Sequence, residues 1–163
     1  MKKILLLLAI LLPVQIFAQI KNIDQLFALS KNSYVQIAAK FKNNYWKLHE
    51  QGPMDTLFYV RYIPATLDTA NYNDMVMCYY KNPATIPVNY LVYQSLDLKF
   101  YNATMATLKK EGFKKMTTET KDDGSKNDIY MNDKQVFSII YFKKSPQEKM
   151  TYIYGTSTKT IKK

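Results

Sequence analysis

The chain predicts an α+β fold built from two tandem units, each a helix or helix pair followed by a four-stranded antiparallel sheet. Three observations carry this expectation. Apolar residues recur at separations of three and four from Ile23 to Phe41, and again at Leu98, Tyr101, Met105 and Leu108, which is the helical period. Each helical stretch precedes four short runs rich in β-branched and aromatic residues, the composition of strands. Turn residues separate those runs at matching places in the two halves. The expected boundaries are a leader over 1–18, a first unit over 19–95, a second unit over 96–156 and a basic tail over 157–163.

The leader reads directly from residue order. Lys2 and Lys3 precede an apolar run from Ile4 to Leu12, and Pro13 leads to Ile16-Phe17-Ala18 with a small residue at the cleavage position. Charged, apolar, then small is the order of a secretory signal. The run is shorter than the roughly 20 apolar residues that span a bilayer, although extending it through Ile20 gives the alternative of a retained anchor. The expected mature chain starts at Gln19, carries no transmembrane segment and resides in a periplasm-like or extracellular space. A lipid anchor would need a Cys directly after the run, and the single Cys is Cys78, far downstream. One Cys also excludes an internal disulfide, so the exported chain is held by its core. Cys78 lies in the apolar run Met75-Val76-Met77-Cys78-Tyr79-Tyr80 and reads as a small buried hydrophobe rather than a nucleophile.

In the first unit, Asn22 or Asp24 is a candidate cap for the helix that starts at Ile23. Ser30 to Ser33 interrupts the stripe and splits it in two, because Ser and Asn compete for backbone bonds inside helices. Asn43-Asn44 is the expected stop. The first strand is expected over Tyr45 to Glu50, with a turn at Gln51-Gly52-Pro53. Thr56 to Ile63 follows, alternating Phe58, Val60 and Tyr62 against Leu57, Tyr59 and Arg61 in the manner of a half-buried strand. Pro64 to Asn73 reads as a polar loop. Asp74 to Lys81 and Val88 to Gln94 then read as strands, separated by Asn82-Pro83 and Pro87.

In the second unit Gly112 ends the helix. Phe113 to Thr120 reads as a strand, Asp122-Asp123-Gly124 as a turn, and Asn127 to Met131 pairs with Gln135 to Lys143 across Asn132-Asp133. Met150 to Gly155 closes the set. Tyr45-Trp46-Lys47-Leu48 and Phe113-Lys114-Lys115-Met116 occupy equivalent places, as do Tyr90-Leu91-Val92-Tyr93 and Tyr152-Ile153-Tyr154. Units of this size have marginal cores on their own, so the halves are expected to pack together, as one long sheet or as two sheets sharing an interface. A helix on one face leaves the other face for a ligand or partner.

An exported chain with tandem helix and four-strand units and Tyr-rich strands resembles the β-lactamase inhibitory protein architecture and the related small PepSY-type export modules. The likeness lies in order and length across nearly all of the mature chain. It implies a fold and a binding style without implying a β-lactamase target, and the two disulfides of the inhibitory proteins are impossible with Cys78 alone.

Composition excludes several chemistries. Of 14 Tyr, 1 Trp, 4 Gly and 1 His, the single His49 rules out a two-His metal site within the chain. The four glycines form no phosphate-cradling loop, dinucleotide fingerprint or serine elbow. Asp122, Asp123 and Asp128 lack the bidentate Glu of a calcium loop and suit a turn instead. No catalytic residue, metal ligand or cofactor is assigned. The net charge of +10 rests on scattered lysines, and Arg61 is the only arginine, so base-specific nucleic-acid recognition is not expected. What remains is tyrosine surface, large and rigid with a polar tip. If Phe58 and Val60 face inward, Tyr59 and Arg61 face outward, and the same reasoning nominates Tyr79, Tyr93, Tyr152 and Tyr154. The expected function is a non-enzymatic exported binding module that presents a Tyr- and Lys-bearing sheet face to a protein or an anionic polymer. A secreted acid/base hydrolase using carboxylates and a basic envelope-associated module are the alternatives.

Overall fold

The computed structural model describes residues 20–42, 45–65, 74–81, 88–143 and 149–158. The expected leader, the Asn43-Asn44 stop, the Asn82-Pro83 and Pro87 turn, most of the 64–73 loop and the lysine-rich end of the tail lie outside these residues.

The helical stretch is split as its serines demand. Helix α1 spans Ile23–Ser30, with the Asn22 side chain accepting a hydrogen bond from the Gln25 amide. Helix α2 spans Tyr34–Phe41 and opens on a reciprocal capping box, in which Ser33 Oγ accepts from the Gln36 amide and Gln36 accepts from the Ser33 amide. Such caps satisfy amides that the first turn leaves unbonded and contribute about 1 kcal/mol each. Helix α3 spans Leu98–Lys110 and is capped by Asp97. It stops where Gly112 turns left-handed at φ 72° and the Phe113 amide bonds back to the Leu108 carbonyl at 2.9 Å, a geometry in which glycine is the least strained residue.

The strands are β1 (Trp46–Met54), β2 (Leu57–Pro64), β3 (Met75–Tyr80), β4 (Tyr90–Ser95), β5 (Lys114–Thr120), β6 (Lys126–Met131), β7 (Gln135–Phe142) and β8 (Thr151–Thr158). All belong to one eight-stranded antiparallel sheet in the order β1-β2-β3-β4-β8-β7-β6-β5. The two-sheet alternative is therefore corrected: β4 and β8 pair directly, from Leu91 opposite Thr156 to Ser95 opposite Tyr152.

The ends of β1 and β8 differ most from expectation. β1 runs through Gln51-Gly52-Pro53, and the turn falls at Asp55-Thr56 with Asp55 at φ 52°. Pro53 is tolerated because β1 is an edge strand and needs no outward amide donor. β8 continues beyond Gly155 to Thr158, taking in the first two residues assigned to the tail. The Asp122-Asp123-Gly124 turn forms as its chemistry suggests, with Asp123 accepting from the Ser125 amide at 2.9 Å.

Among the described residues all three helices cover one face of the sheet. α2 sets Tyr34 against Phe58 and Tyr80, and Phe41 against Trp46 and Tyr62. α1 lies over β4 and β8 and touches α3, and its Phe27 stacks on Phe113. α3 places Phe100 on the cross-strand pair Tyr93 and Tyr154, with ring centroids 5.1 and 4.9 Å away. Leu91, Ile139, Val60 and Cys78 fill the layer beneath. Each fully buried Leu, Ile or Val contributes about 1.5–3 kcal/mol. One aromatic core thus spans the central joint, and among the described residues the opposite face carries no helix.

Candidate functional site

The alternation of each strand assigns the helix-free face residue by residue. One row across the sheet runs Gly52, Tyr59, Tyr79 and Tyr90 on β1 to β4, and the adjacent row runs Glu50, Arg61, Met77, Val92, Gly155, Ser138 and Ile129. These two rows set Tyr59, Tyr79 and Tyr90 beside Glu50 and Arg61.

Glu50 reaches it through a β-bulge. Leu48 pairs with Tyr62 and Glu50 with Arg61, leaving His49 as the extra residue. Without that insertion Leu48 and Glu50 would share a face; the bulge re-aims the carboxylate to the side of Arg61. Glu50 Oε2 then lies 2.8 Å from the Arg61 guanidinium, and Oε1 accepts a hydrogen bond from the Tyr59 hydroxyl at 2.5 Å. The Tyr59 hydrogen bond, reinforced by Arg61, holds the Glu50 carboxyl below its ordinary value, and the same bond raises the Tyr59 hydroxyl. An exposed ion pair of this kind adds only about 0–1 kcal/mol to stability, so its main effect is to fix the two side chains in place.

The tyrosines recline rather than stand. Tyr59 lies against Gly52, its Cε1 3.6 Å from where a β-carbon would be. Tyr79 leans along its own strand so that its hydroxyl meets Met77 Sδ. Tyr90 crosses β8 by lying over Gly155, with its Cζ 2.6 Å from the β-carbon position, and ends at Ser138 Oγ, 3.1 Å from its hydroxyl. Tyr79 and Tyr90 are neighbours, with centroids 6.1 Å apart. Gly155 therefore occupies a strand position where an adjacent Tyr ring takes the space of a side chain, whereas a β-carbon at Gly52 would only be in ordinary contact with Tyr59.

The six nominated residues divide evenly. Tyr59, Arg61 and Tyr79 come together on the helix-free face. Tyr93, Tyr152 and Tyr154 do not: they are 1%, 8% and 0% exposed beneath the helices, where Tyr152 stacks on Tyr101 of α3 with centroids 4.6 Å apart. Their outward placement is corrected, because the strand phase sets Tyr90 and Val92 outward on β4 and leaves Leu91 and Tyr93 in the core. Burial raises the hydroxyl pKa of Tyr93 and Tyr154 far above its ordinary value. Glu50, Tyr90, Gly155 and Ser138 are the members missed by sequence reasoning. The isolated glycine inside the last strand-like run was the available signal, since such a glycine marks close approach by a neighbour.

Asp123 and Asp128, at and after the Asp122-Asp123-Gly124 turn, serve structure. Asp128 is buried, accepts from Thr118 at 2.8 Å and pairs with Lys115 at 2.8 Å. Among the described residues no three His, Cys, Asp or Glu side chains converge as metal ligands, and no helix is long and apolar enough to cross a membrane. A separate open cleft of about 810 Å³ lies between α1, the end of α3 and the start of β5. Lys31, Lys114 and Lys134 oppose Asp24, Glu111 and Asp133 around it, so it favours neither sign of charge.

Compared with protein-family models, curated proteins and solved structures, the chain matches none.

Proposed function

We propose that this chain is an exported, non-enzymatic binding module whose working surface is the helix-free face, centred on Tyr59, Tyr79, Tyr90, Glu50 and Arg61. The observation that carries the reading is the exposed Tyr59–Glu50–Arg61 network. It rests on a bulge that brings Glu50 to this face, yet an ion pair at the surface adds little to stability. A pre-oriented carboxylate and guanidinium beside rigid aromatic area are the elements of a recognition surface, because little side-chain freedom is lost when a partner docks. The order of charged, apolar and small residues at the start of the chain supports export, with cleavage near Ala18.

We also read the chain as two tandem units. The strand order supports this, since β1 to β4 and β5 to β8 each run as a meander from an outer edge to the central β4–β8 pair. Each edge strand also carries one bulge near its start.

The test is capture by immobilised mature chain from the envelope in which it resides. Replacing Tyr59 and Arg61 together by Ala abolishes capture of the bound component and leaves the thermal midpoint within a few degrees of wild type. Lys99→Ala, on the exposed surface of α3, leaves capture unchanged. Equal capture by wild type and the double variant removes the helix-free face from the function.

A further inference from the structure

Resting on the reading of this face as the binding surface, we propose that the reclined tyrosines form a stacking platform for an uncharged polysaccharide. Three features of the site define the ligand. The first is flatness. Tyr59 lies on Gly52, Tyr79 along its strand towards Met77, and Tyr90 over Gly155, so the rings lean along the sheet, with Tyr79 and Tyr90 inclined by 39° to each other. A proline-rich helix docks into grooves between aromatic walls, which reclined rings do not build. A sugar ring instead sets its polarised C–H face on the electron-rich face of an aromatic ring.

The second feature is length. Tyr59, Tyr79 and Tyr90 sit on three successive strands in one cross-strand row, and strands are spaced about 4.8 Å apart. The row therefore extends across the sheet far enough to seat more than one sugar ring, which suits a linear chain. The third is charge. On a chain of net charge +10, Arg61 and Glu50 beside this row lie 2.8 Å apart and offset each other, while the exposed Lys81 follows two residues beyond Tyr79. The pair offers no attraction to a polyanion. It offers a carboxylate acceptor and guanidinium donors along the platform edge, the groups that hydrogen-bond vicinal hydroxyls.

The experiment is native affinity electrophoresis of the mature chain through gels containing hydroxyethyl cellulose, xyloglucan or galactomannan, with alginate as the polyanionic comparison. Retardation in at least one uncharged gel, persisting at high salt, is the expected result. Tyr59→Ala and Tyr79→Ala each weaken it by about three- to tenfold, the scale of one aromatic contact. Tyr79→Phe, which keeps the ring, retains binding, and a urea midpoint of Tyr79→Ala close to wild type shows that its loss of binding is not a loss of fold. Migration unaffected by all the uncharged gels overturns the proposal, as does retardation that survives both alanine substitutions. Retardation by alginate alone, abolished by salt, also overturns it. If envelope capture still depends on Tyr59 and Arg61 in those cases, the face remains the binding surface and only the sugar is wrong. If capture is also independent of them, both readings fall.

Discussion

Gly155→Ala tests how tightly the two halves of the sheet are locked across the β4–β8 joint. A β-carbon at Gly155 would overlap the Tyr90 hydroxyl and sit 2.6 Å from both Tyr90 Cζ and Ser138 Oγ. Ser138 can rotate, but Tyr90 can escape only by lifting off the sheet and giving up its bond to Ser138. Crowding of this kind costs about 1–3 kcal/mol, and the lost hydrogen bond about 0.5–1.5 kcal/mol. Relief of glycine's backbone entropy returns about 0.5–1 kcal/mol. The net expectation is a loss of about 2 kcal/mol, which lowers the melting temperature by about 6 °C for a domain of this size. Urea unfolding of four proteins, the wild type, Gly155→Ala, Tyr90→Ala and the double variant, isolates the effect. In the Tyr90→Ala background the same alanine is neutral or slightly stabilising, because the ring it collides with is gone, so the two substitutions are strongly non-additive. Gly52→Ala, where Tyr59 is 3.6 Å away, is the tolerated control. A Gly155→Ala protein as stable as wild type, or additive effects in the cycle, refutes the reasoning.

Two further outcomes follow from buried groups. Burial pushes the Cys78 thiol up to about 12, so an aromatic disulfide reagent at pH 8 leaves the native protein unlabelled and modifies one thiol once denaturant is added; rapid native labelling would contradict that environment. Tyr62, Tyr80, Tyr93 and Tyr154 are raised chiefly by burial, while the unfolded chain releases its phenolic protons near pH 10. The folded state therefore holds more protons above that pH. Stability is complete below pH 10 and falls as pH rises beyond it, by about 1.4 kcal/mol per pH unit for each such tyrosine. Urea midpoints at pH 8 and pH 11 read this directly, and equal midpoints would refute it.

Local features of the fold were legible in the sequence because local chemistry sets them. The Ser30 to Ser33 interruption divides the first helical stretch, Gly112 ends the last helix, and β-branched alternation marks the strands. The pairing of β4 with β8 was not legible, since it joins residues far apart in the chain and leaves no local trace. Nor was the outward phase of β4. Tyr90-Leu91-Val92-Tyr93 presents an aromatic and an aliphatic residue at each parity, so the pattern has no polar side to orient it. In β2, by contrast, Arg61 breaks the symmetry, and the outward placement of Tyr59 follows. The bulge at His49 escaped for a related reason: a single inserted residue changes which face Glu50 occupies without changing the composition of the strand.

The position of β8 also constrains the order in which the molecule can be completed. The last of the eight strands to be synthesised lies in the middle of the sheet, between β4 and β7, and supplies Tyr154 to the core beneath Phe100. Until Thr151 to Thr158 is available, β1 to β4 and β5 to β7 have no shared strand to join them, and the central aromatic layer lacks its keystone ring. The nascent chain can form meanders but not the continuous sheet. Joining the two meanders into one sheet therefore waits for β8, whose two edges complete β4 and β7 at once.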